Sequence, residues 1–299
     1  MTELPNTTIN SAIGYQIKIS SNLTLSNFIF ENFRKLIYDS CGIYFHDNKK
    51  YLLESRLLKR INFLGLNSFE EYYELLKFKR DGNQEKKYLY EAITINETYF
   101  FRNQAQLDAL VAKVIPEILV PKLKLGKSKL RIWSAASSSG EEAYSIAIVI
   151  HDLLKLKFPN IEFEIVGTDI DQTVIQTAKS AVYKEYSIRN TPAYYLKKYF
   201  KNRGNTFEVV PEIKKMASFK ILNLVDDIEM RAMFNYDIIF CENVLIYFDL
   251  KAKVKVINHL YNSLNKGGYL FIGYAETLHM ISKAFSIINF PKTIGYKKE

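Results

Sequence analysis

The chain has 299 residues, of which 48% are hydrophobic and 24% charged, a mix that excludes a disordered or fibrous chain at a length better suited to two domains than one. Its formal charge of +9 is compatible with nucleic acid, an acidic membrane surface or an acidic protein as partner, and equally with simple enrichment in Lys. The two cysteines, Cys41 and Cys241, form no CxxC, the four histidines show no metal spacing, and no apolar run reaches the roughly 18–20 residues of a membrane span, so disulfide frameworks, zinc sites and integral membrane folds are set aside.

Residues 1–22 are rich in Thr, Asn, Ser and Ile without a helical period and read as a loose arm or an added edge strand. The first basic residue is Lys18 and no charged-then-apolar opening precedes it, so the expected location is the cytoplasm. From Leu25 to about Glu91, apolar residues recur at helical spacing: Phe28, Phe33, Leu36 and Ile37, then Leu52, Leu53, Leu57 and Leu58, then Tyr72, Tyr73, Leu75 and Leu76. Turn-like breaks at Cys41-Gly42, Gly65–Ser68 and Asp81–Asn83 separate them, which predicts a small all-helical domain over 23–95. The segment Asn96-Glu97-Thr98-Tyr99-Phe100-Phe101-Arg102 reads, taken alone, as a polar loop packed at a domain junction, opening a linker over 96–120.

Beyond Pro121 the pattern changes. Strands are predicted at Leu130–Ala135, Ile161–Thr168, Phe219–Leu222, Tyr236–Cys241, Tyr269–Tyr274 and Thr293–Lys297. Helices follow from Glu141, over 171–181 and over 250–264, the last stopped at Lys266-Gly267-Gly268. Strands alternating with helices give an α/β domain over 121–299 with a doubly wound, mostly parallel sheet. The basic excess is patchy: Lys49, Lys50, Arg56, Lys59 and Arg60 lie in one cluster, and Lys122, Lys124, Lys127, Lys129 and Arg131 in another.

Three segments at strand ends carry candidate chemistry. In Trp133–Glu142 a strand runs through small residues into a helix, whose free N–H groups suit a ligand carboxylate or phosphate. Ser139-x-x-Glu142 is also a capping box, so Glu142 is equally a helix-start residue, which leaves Glu141 free for a ligand. In Gly167–Asp171, Asp169 directly follows an apolar strand and can accept bonds from two ribose hydroxyls, while Asp171 fits the cap of the next helix. In Cys241–Phe248, Asn243 stands where ligand crevices of open α/β sheets lie, and Val244, Leu245, Ile246 and Phe248 read as packing.

Taken together these segments resemble the chemotaxis receptor methyltransferase family, CheR. Its pattern runs N-x-T-x-F-F-R, W-S-A-A-x-S-x-G-E-E-x-Y-S, D-I-D, N-L, C-R-N-V-x-I-Y-F and G-G-x-L-x-x-G-x-x-E. Each occurs here in order, including Asn223-Leu224 and Gly267–Glu276, over roughly residues 25–298. The resemblance implies a helical N-terminal domain joined to a class I methyltransferase domain that binds S-adenosylmethionine and releases S-adenosylhomocysteine. It places Asn96, Thr98, Arg102, Ala136, Glu141 or Glu142, Asp169, Asn223, Leu224, Glu242 and Asn243 at cofactor-site positions, and it makes the 96–120 linker part of that site. Two departures stand out. Glu242 replaces the family's usual Arg, reversing a charge beside the pocket, and the stretch between Tyr199-Phe200 and Phe207 is short where the family's longer loop accompanies docking on a receptor's C-terminal tether.

The resemblance implies esterification of glutamate side chains on chemoreceptor cytoplasmic helices, by a monomer that needs no tether peptide. A glutamate titrates near pH 4.3 and is ionised at neutral pH, so no general base is required. Arg102 is assigned to orienting charge at the donor and Tyr247 to the methyl-transfer pocket; Arg56, Lys59 and Arg60 are expected to dock the acidic receptor helices, against the alternative of a solvated helix face. Two rivals remain. A nucleic-acid methyltransferase fits the charge, but the turn after the fourth strand reads Glu242-Asn243-Val244-Leu245 rather than Asn-Pro-Pro-Tyr. A non-catalytic cofactor-sensing protein is motivated by Glu242.

Overall fold

The computed structural model describes residues 23–299. The expected arm at 1–22 lies outside them. Helices α1 (Asn27–Cys41), α2 (Lys50–Leu64), α3 (Phe69–Phe78) and α4 (Gly82–Ile93) form the N-terminal unit. Ser26 and Ser68 start α1 and α3 by accepting from the Ile29 and Glu71 amides, satisfying N–H groups that the first helical turn leaves free. The buried stripe is Ile29, Phe30, Phe33, Ile37, Leu53, Leu57, Ile61, Tyr72, Leu76 and Leu89. Each such side chain contributes roughly 1.5–3 kcal/mol on burial. Phe28, expected on that stripe, is exposed, because the apolar face of α1 turns through Ile29 and Phe30 instead.

A second helical run, α5 (Gln104–Ala109), a π turn over Leu110–Val114 and α6 (Ile115–Lys124), crosses residue 121 without a break. Its Leu110, Val114, Ile115 and Leu119 pack into the same core as the sheet. Then come β1 (Lys129–Ala135), α7 (Glu141–Leu153), β2 (Glu162–Asp169), α8 (Gln172–Ser180), β3 (Val182–Tyr183), α9 (Glu185–Ile188), α10 (Ala193–Tyr199), β4 (Phe200–Asn202), β5 (Phe207–Val209), α11 (Pro211–Lys214), β6 (Ala217–Ile221), α12 (Asp227–Arg231), β7 (Tyr236–Cys241), α13 (Leu250–Ser263), β8 (Leu264–Ile272), β9 (Phe285–Phe290) and β10 (Thr293–Lys298).

Seven strands form one sheet in the order β6-β2-β1-β7-β8-β10-β9. The first five are parallel, and β10 and β9 close it antiparallel. The chain winds outward from β1 through β2 to β6, then returns to β7 on the other side of β1. The topological switch point therefore lies between β1 and β7, where such sheets open a crevice at the strands' carboxyl ends. The register aligns Ala135 with Thr168 and Ser134 with Phe240, which brings the ends of β2, β1 and β7 to one level. The helix over α13 ends at Ser263, before Gly267-Gly268, and β8 begins at once, earlier than the expected Tyr269. The small sheet β3-β5-β4 and strand β9 were not among the predicted elements.

The basic cluster around 122–131 sits at the opposite, amino end of the sheet and is largely paired. Lys122 meets Asp237, Lys129 meets Glu162 and Glu164, and Arg131 meets Glu164. The helical unit is seated on the carboxyl end: Tyr44 N donates to the Tyr247 carbonyl (3.0 Å), Tyr38 Oη to Asp249 (3.1 Å) and Asn223 Nδ2 to the Ser40 carbonyl (2.7 Å). No helix among the described residues is long and apolar enough to cross a membrane.

Candidate functional site

At the switch point lies an open cleft walled by both units, with Cys41, Ile43 and Ile93 from the helical one and the strand ends from the other. Its floor is the turn after β1. Ala136 (φ 56°) and Ser138 (φ 50°) both hold left-handed backbone, at a cost of order 1–3 kcal/mol each. The turn is fixed by Ser137 N donating to the Thr168 carbonyl (2.8 Å) and by Ser138 N donating to Asp169 Oδ2 (2.9 Å). Gly140 (φ 92°) then begins α7; a Cβ there would lie 2.8 Å from Ala178 Cβ and 3.0 Å from the Phe219 ring.

That glycine overturns the expected capping box. Gly140, not Ser139, occupies the cap position and offers no side chain. Ser139 Oγ instead donates to Glu141 Oε2 (2.7 Å), and Glu141 is buried away from the cleft. Glu142 is therefore the member of the pair in the cleft wall, accepting from Ser134 Oγ (2.7 Å), and Glu141 is removed from the set of ligand contacts.

Asp169, at the end of β2, lines the cleft and accepts from Ser138 N and from Asp171 N (3.0 Å). Burial pushes its pKa up to about 6. Asp171 caps α8 through the Thr173 and Val174 amides, as expected, and its other oxygen accepts from Asn96 Nδ2 (2.7 Å). Asn96 thus lines the cleft while its amide pins the following loop to the start of α8.

That loop, with Glu97, Thr98, Tyr99, Arg102 and Asn103 in the wall, lies against the cleft rather than at a mere junction. Phe100 N donates to the Ser187 carbonyl (2.9 Å), Phe101 N to Ser145 Oγ (3.0 Å), and the Arg189 guanidinium lies 3.7 Å from the ring centres of both Tyr99 and Tyr186. Arg102 Nη1 donates to the Glu97 carbonyl (2.7 Å).

On the far side, Glu242 and Asn243 follow β7, with Glu242 half-buried. Burial raises the Glu242 carboxyl well above its ordinary value, and Glu142 raises it further; its one side-chain partner is Asn103 Nδ2 at 3.4 Å. Burial likewise raises Glu142. Asn243 takes left-handed backbone (φ 58°), held by Glu276 Oε2, which accepts from both Asn243 N (2.9 Å) and Gly273 N (2.7 Å). Glu276 was in the G-x-x-E motif but had no role in the sequence reading; the spacing from Gly273 was the available signal.

Leu224 is buried at the β6 side, and Asn223 lines the wall there with both side-chain groups engaged, Nδ2 on the Ser40 carbonyl and Oδ1 on the Val225 amide. Tyr247 is a half-buried wall residue whose phenol pKa is raised by burial.

The docking trio does not stay together. Arg60 is clamped by two bonds to Glu85 (2.6 and 2.7 Å) and stacks on Tyr88 and Phe63, so it is a structural cation. Arg56 is half-buried and donates to the Ile93 carbonyl at the cleft's edge, and Lys59 is exposed. Carboxyls 25 residues away in sequence decide this, which α2 alone does not reveal.

The donor set defines what fits. Glu97, Glu142, Asp169 and Glu242 outnumber Arg102 in the wall, so the cleft suits a ligand that is cationic overall, brings hydroxyls to Asp169 and offers one anionic group to Arg102. Zwitterionic S-adenosylmethionine with its sulfonium has this constitution.

Comparison with known proteins agrees. A family model described as CheR methyltransferase, SAM binding domain, matches residues 96–294, and one described as CheR methyltransferase, all-alpha domain, matches residues 29–94. The chain is 35% identical over 279 residues to chemotaxis protein methyltransferase 2 of Vibrio cholerae, covering 93% of this chain and 95% of that protein. It is 36% identical over 264 residues to the chemotaxis protein methyltransferase of Borreliella burgdorferi (88% and 93% covered), and 32% over 279 residues to chemotaxis protein methyltransferase 1 of Pseudomonas aeruginosa (92% and 99%).

Proposed function

The chain belongs to the CheR methyltransferase family and is an S-adenosylmethionine-dependent methyltransferase; from that premise we propose that its acceptor is a glutamate side chain on a cytoplasmic chemoreceptor helix, converted to its methyl ester. The observation that carries the acceptor reading is the cleft's lining. Tyr247 of the sheet unit is part of it, with the helical unit's Arg56 near enough for their charges to interact, and none of the described residues that line the cleft is a His. A site without a proton-accepting imidazole suits an acceptor that is already ionised, as a glutamate is at neutral pH.

When bound, the cofactor supplies an activated methyl group on a sulfonium. The protein's part is holding and desolvating. Asp169 accepts from the sugar hydroxyls, charged-acceptor bonds of about 1.5–3 kcal/mol each. Arg102 takes the cofactor's carboxylate, and its attachment to the Glu97 carbonyl keeps the guanidinium in the wall. Asn243, fixed by Glu276, and the backbone of Asn223-Leu224 complete the cradle, with Ala136 beneath. Thr98 and Tyr247 wall the transfer region and exclude water, which strengthens these interactions. Orientation alone is worth up to about 7–11 kcal/mol in such reactions. Arg56 and Lys59 form the cationic rim for an acidic helix. The direct connection of β4 to β5 through residues 203–206 supports docking without a receptor tail peptide.

The test is transfer of labelled methyl from S-adenosylmethionine to a receptor cytoplasmic fragment, made with and without its C-terminal tail. Base-labile label on glutamate, at similar rates for both fragments, is expected. Cofactor binding without any transfer defeats the glutamate reading, and transfer that requires the tail defeats the tether-free one.

A further inference from the structure

Three carboxyl groups crowd the β7 side of the cleft. Glu142 projects from the start of α7, Glu242 follows β7, and Glu276 follows β8. Hydrogen bonds to them are few. Glu142 Oε1 accepts from Ser134 Oγ and Glu242 Oε1 accepts a long bond from Asn103, while Glu276 is held through Oε2 by two backbone amides and its Oε1 is buried with no partner among the described residues. A carboxylate has room for about four. Arg102 is the cation that acts on both Glu142 and Glu242, and one of its nitrogens is already committed to the Glu97 carbonyl. Of the other titratable groups at the cleft, Cys241 is a buried thiol held protonated by its burial, Tyr247 a phenol raised by burial, Glu97 and Asp169 are further acids, and Arg56 of the helical unit acts on Tyr247. Two carboxyls with so few partners in one wall favour a protonated form of one of them, as the repulsion of Glu242 by Glu142 indicates.

We propose that Glu142 and Glu242 form a proton-for-cation exchange site: they share a proton in the free cleft and release it when the positively charged amino-acid end of S-adenosylmethionine arrives. The inference rests on the cofactor reading above. The fold assigns the end. Asp169 at β2 takes the sugar hydroxyls, and β1 separates it from the Glu142–Glu242 wall at β7, leaving that wall to the other end of the molecule. Glu142 adds to the raise of Glu242, so a neutral side chain at 242 removes the carboxyl on which the pair's repulsion falls, while Glu142 stays raised by its own burial.

The sign follows from the direction of the shifts. Both acids are raised, so the free cleft is protonated below its raised values and ionised above them. The incoming cation favours the ionised pair. Affinity for the cofactor therefore rises with pH from the ordinary carboxylate range up to the raised values, by up to about tenfold per pH unit for one linked proton, and levels off above.

Isothermal titration of the full chain near pH 7, in two buffers with unlike ionisation enthalpies, counts the protons. S-adenosylmethionine is expected to release on the order of half to one proton on binding. Equal release by S-adenosylhomocysteine assigns the exchanged charge to the ammonium group, and smaller release assigns part of it to the sulfonium. 5′-Methylthioadenosine, which has the nucleoside but no amino-acid end, is expected to release none. Glu242→Gln should lower the release and weaken the pH dependence of affinity, and Glu142→Gln combined with Glu242→Gln should abolish both, whereas Glu242→Asp should retain them; melting curves show that each variant is folded. Release unchanged in Glu242→Gln, equal release by 5′-methylthioadenosine, or no release from the wild-type chain overturns the proposal. Failure of S-adenosylmethionine to bind the wild-type chain at all would instead defeat the cofactor reading on which it stands.

Discussion

The two ends of the central sheet bury acids in opposite ways. At the amino end Asp237, 2% exposed, accepts from Lys122 Nζ (2.7 Å), Arg131 N (2.9 Å) and Asn265 Nδ2 (2.7 Å), and beside it Glu164 is shared by Lys129 and Arg131. At the carboxyl end, Glu142 has one side-chain donor, Ser134 Oγ, Glu242 has one long bond from Asn103, and Arg102 is the guanidinium that acts on both. Desolvation disfavours the charged form in both places. At the amino end the cations prevail, and Glu164 is held below the ordinary carboxylate range despite its burial. At the carboxyl end burial prevails, and Glu142 and Glu242 are raised. A buried charge whose bonds are complete is part of the framework; one whose bonds are missing is waiting for a ligand.

The largest expected effect breaks the satisfied end. Asp237→Ala strips the partner from the largely buried Lys122 ammonium and leaves two further donors unmatched, which should cost about 3–5 kcal/mol. Urea or thermal unfolding would measure it; a loss under about 1 kcal/mol would mean that the amino end is no better built than the other. A middle-sized effect comes from perturbing the unsatisfied end. In Gly273→Ala the new Cβ would sit 2.7 Å from Glu276 Oε2 and 2.9 Å from Asn243 N. Glu276 must then release Asn243, so cofactor affinity should fall at least about tenfold while stability falls by only about 1–3 kcal/mol. Unchanged affinity by titration calorimetry would show that Asn243 needs no such holding.

The same contrast explains what the sequence disclosed. The parallel strands were legible because apolar runs such as Tyr236–Cys241, buried throughout, have no other soluble home. Asp169 and Asn243 were legible because a doubly wound sheet places its crevice at strand ends, whatever the side chains. What failed were assignments that depend on a partner distant in sequence. Ser139-x-x-Glu142 fits a capping box on paper, yet close packing of Ala178 and Phe219 on Gly140 sets the backbone so that Glu142 turns into the cleft and Glu141 out of it. Arg60 looked like surface charge until Glu85 and Tyr72 closed around it. The strands of the small sheet are two or three residues long and partly polar, too short for an alternation to register.

The smallest effect sharpens the comparison on a single turn of α2. Arg60 is satisfied and Lys59, its neighbour, projects into solvent. A satisfied cation is framework and should be unavailable to a partner, whereas an exposed one contributes little to the fold, ordinarily well under 1 kcal/mol for a surface pair. Lys59→Glu should therefore leave unfolding within about 0.5 kcal/mol of wild type. Its effect should appear against the acidic receptor fragment as a few-fold lower rate at low salt, shrinking as salt screens the rim over a Debye length of about 10 Å at 0.1 M. Methylation of the fragment measured across a salt series would read it. An unchanged rate and salt slope would remove Lys59 from the docking rim and leave Arg56, at the cleft's edge, as the cation of the expected trio that meets the substrate.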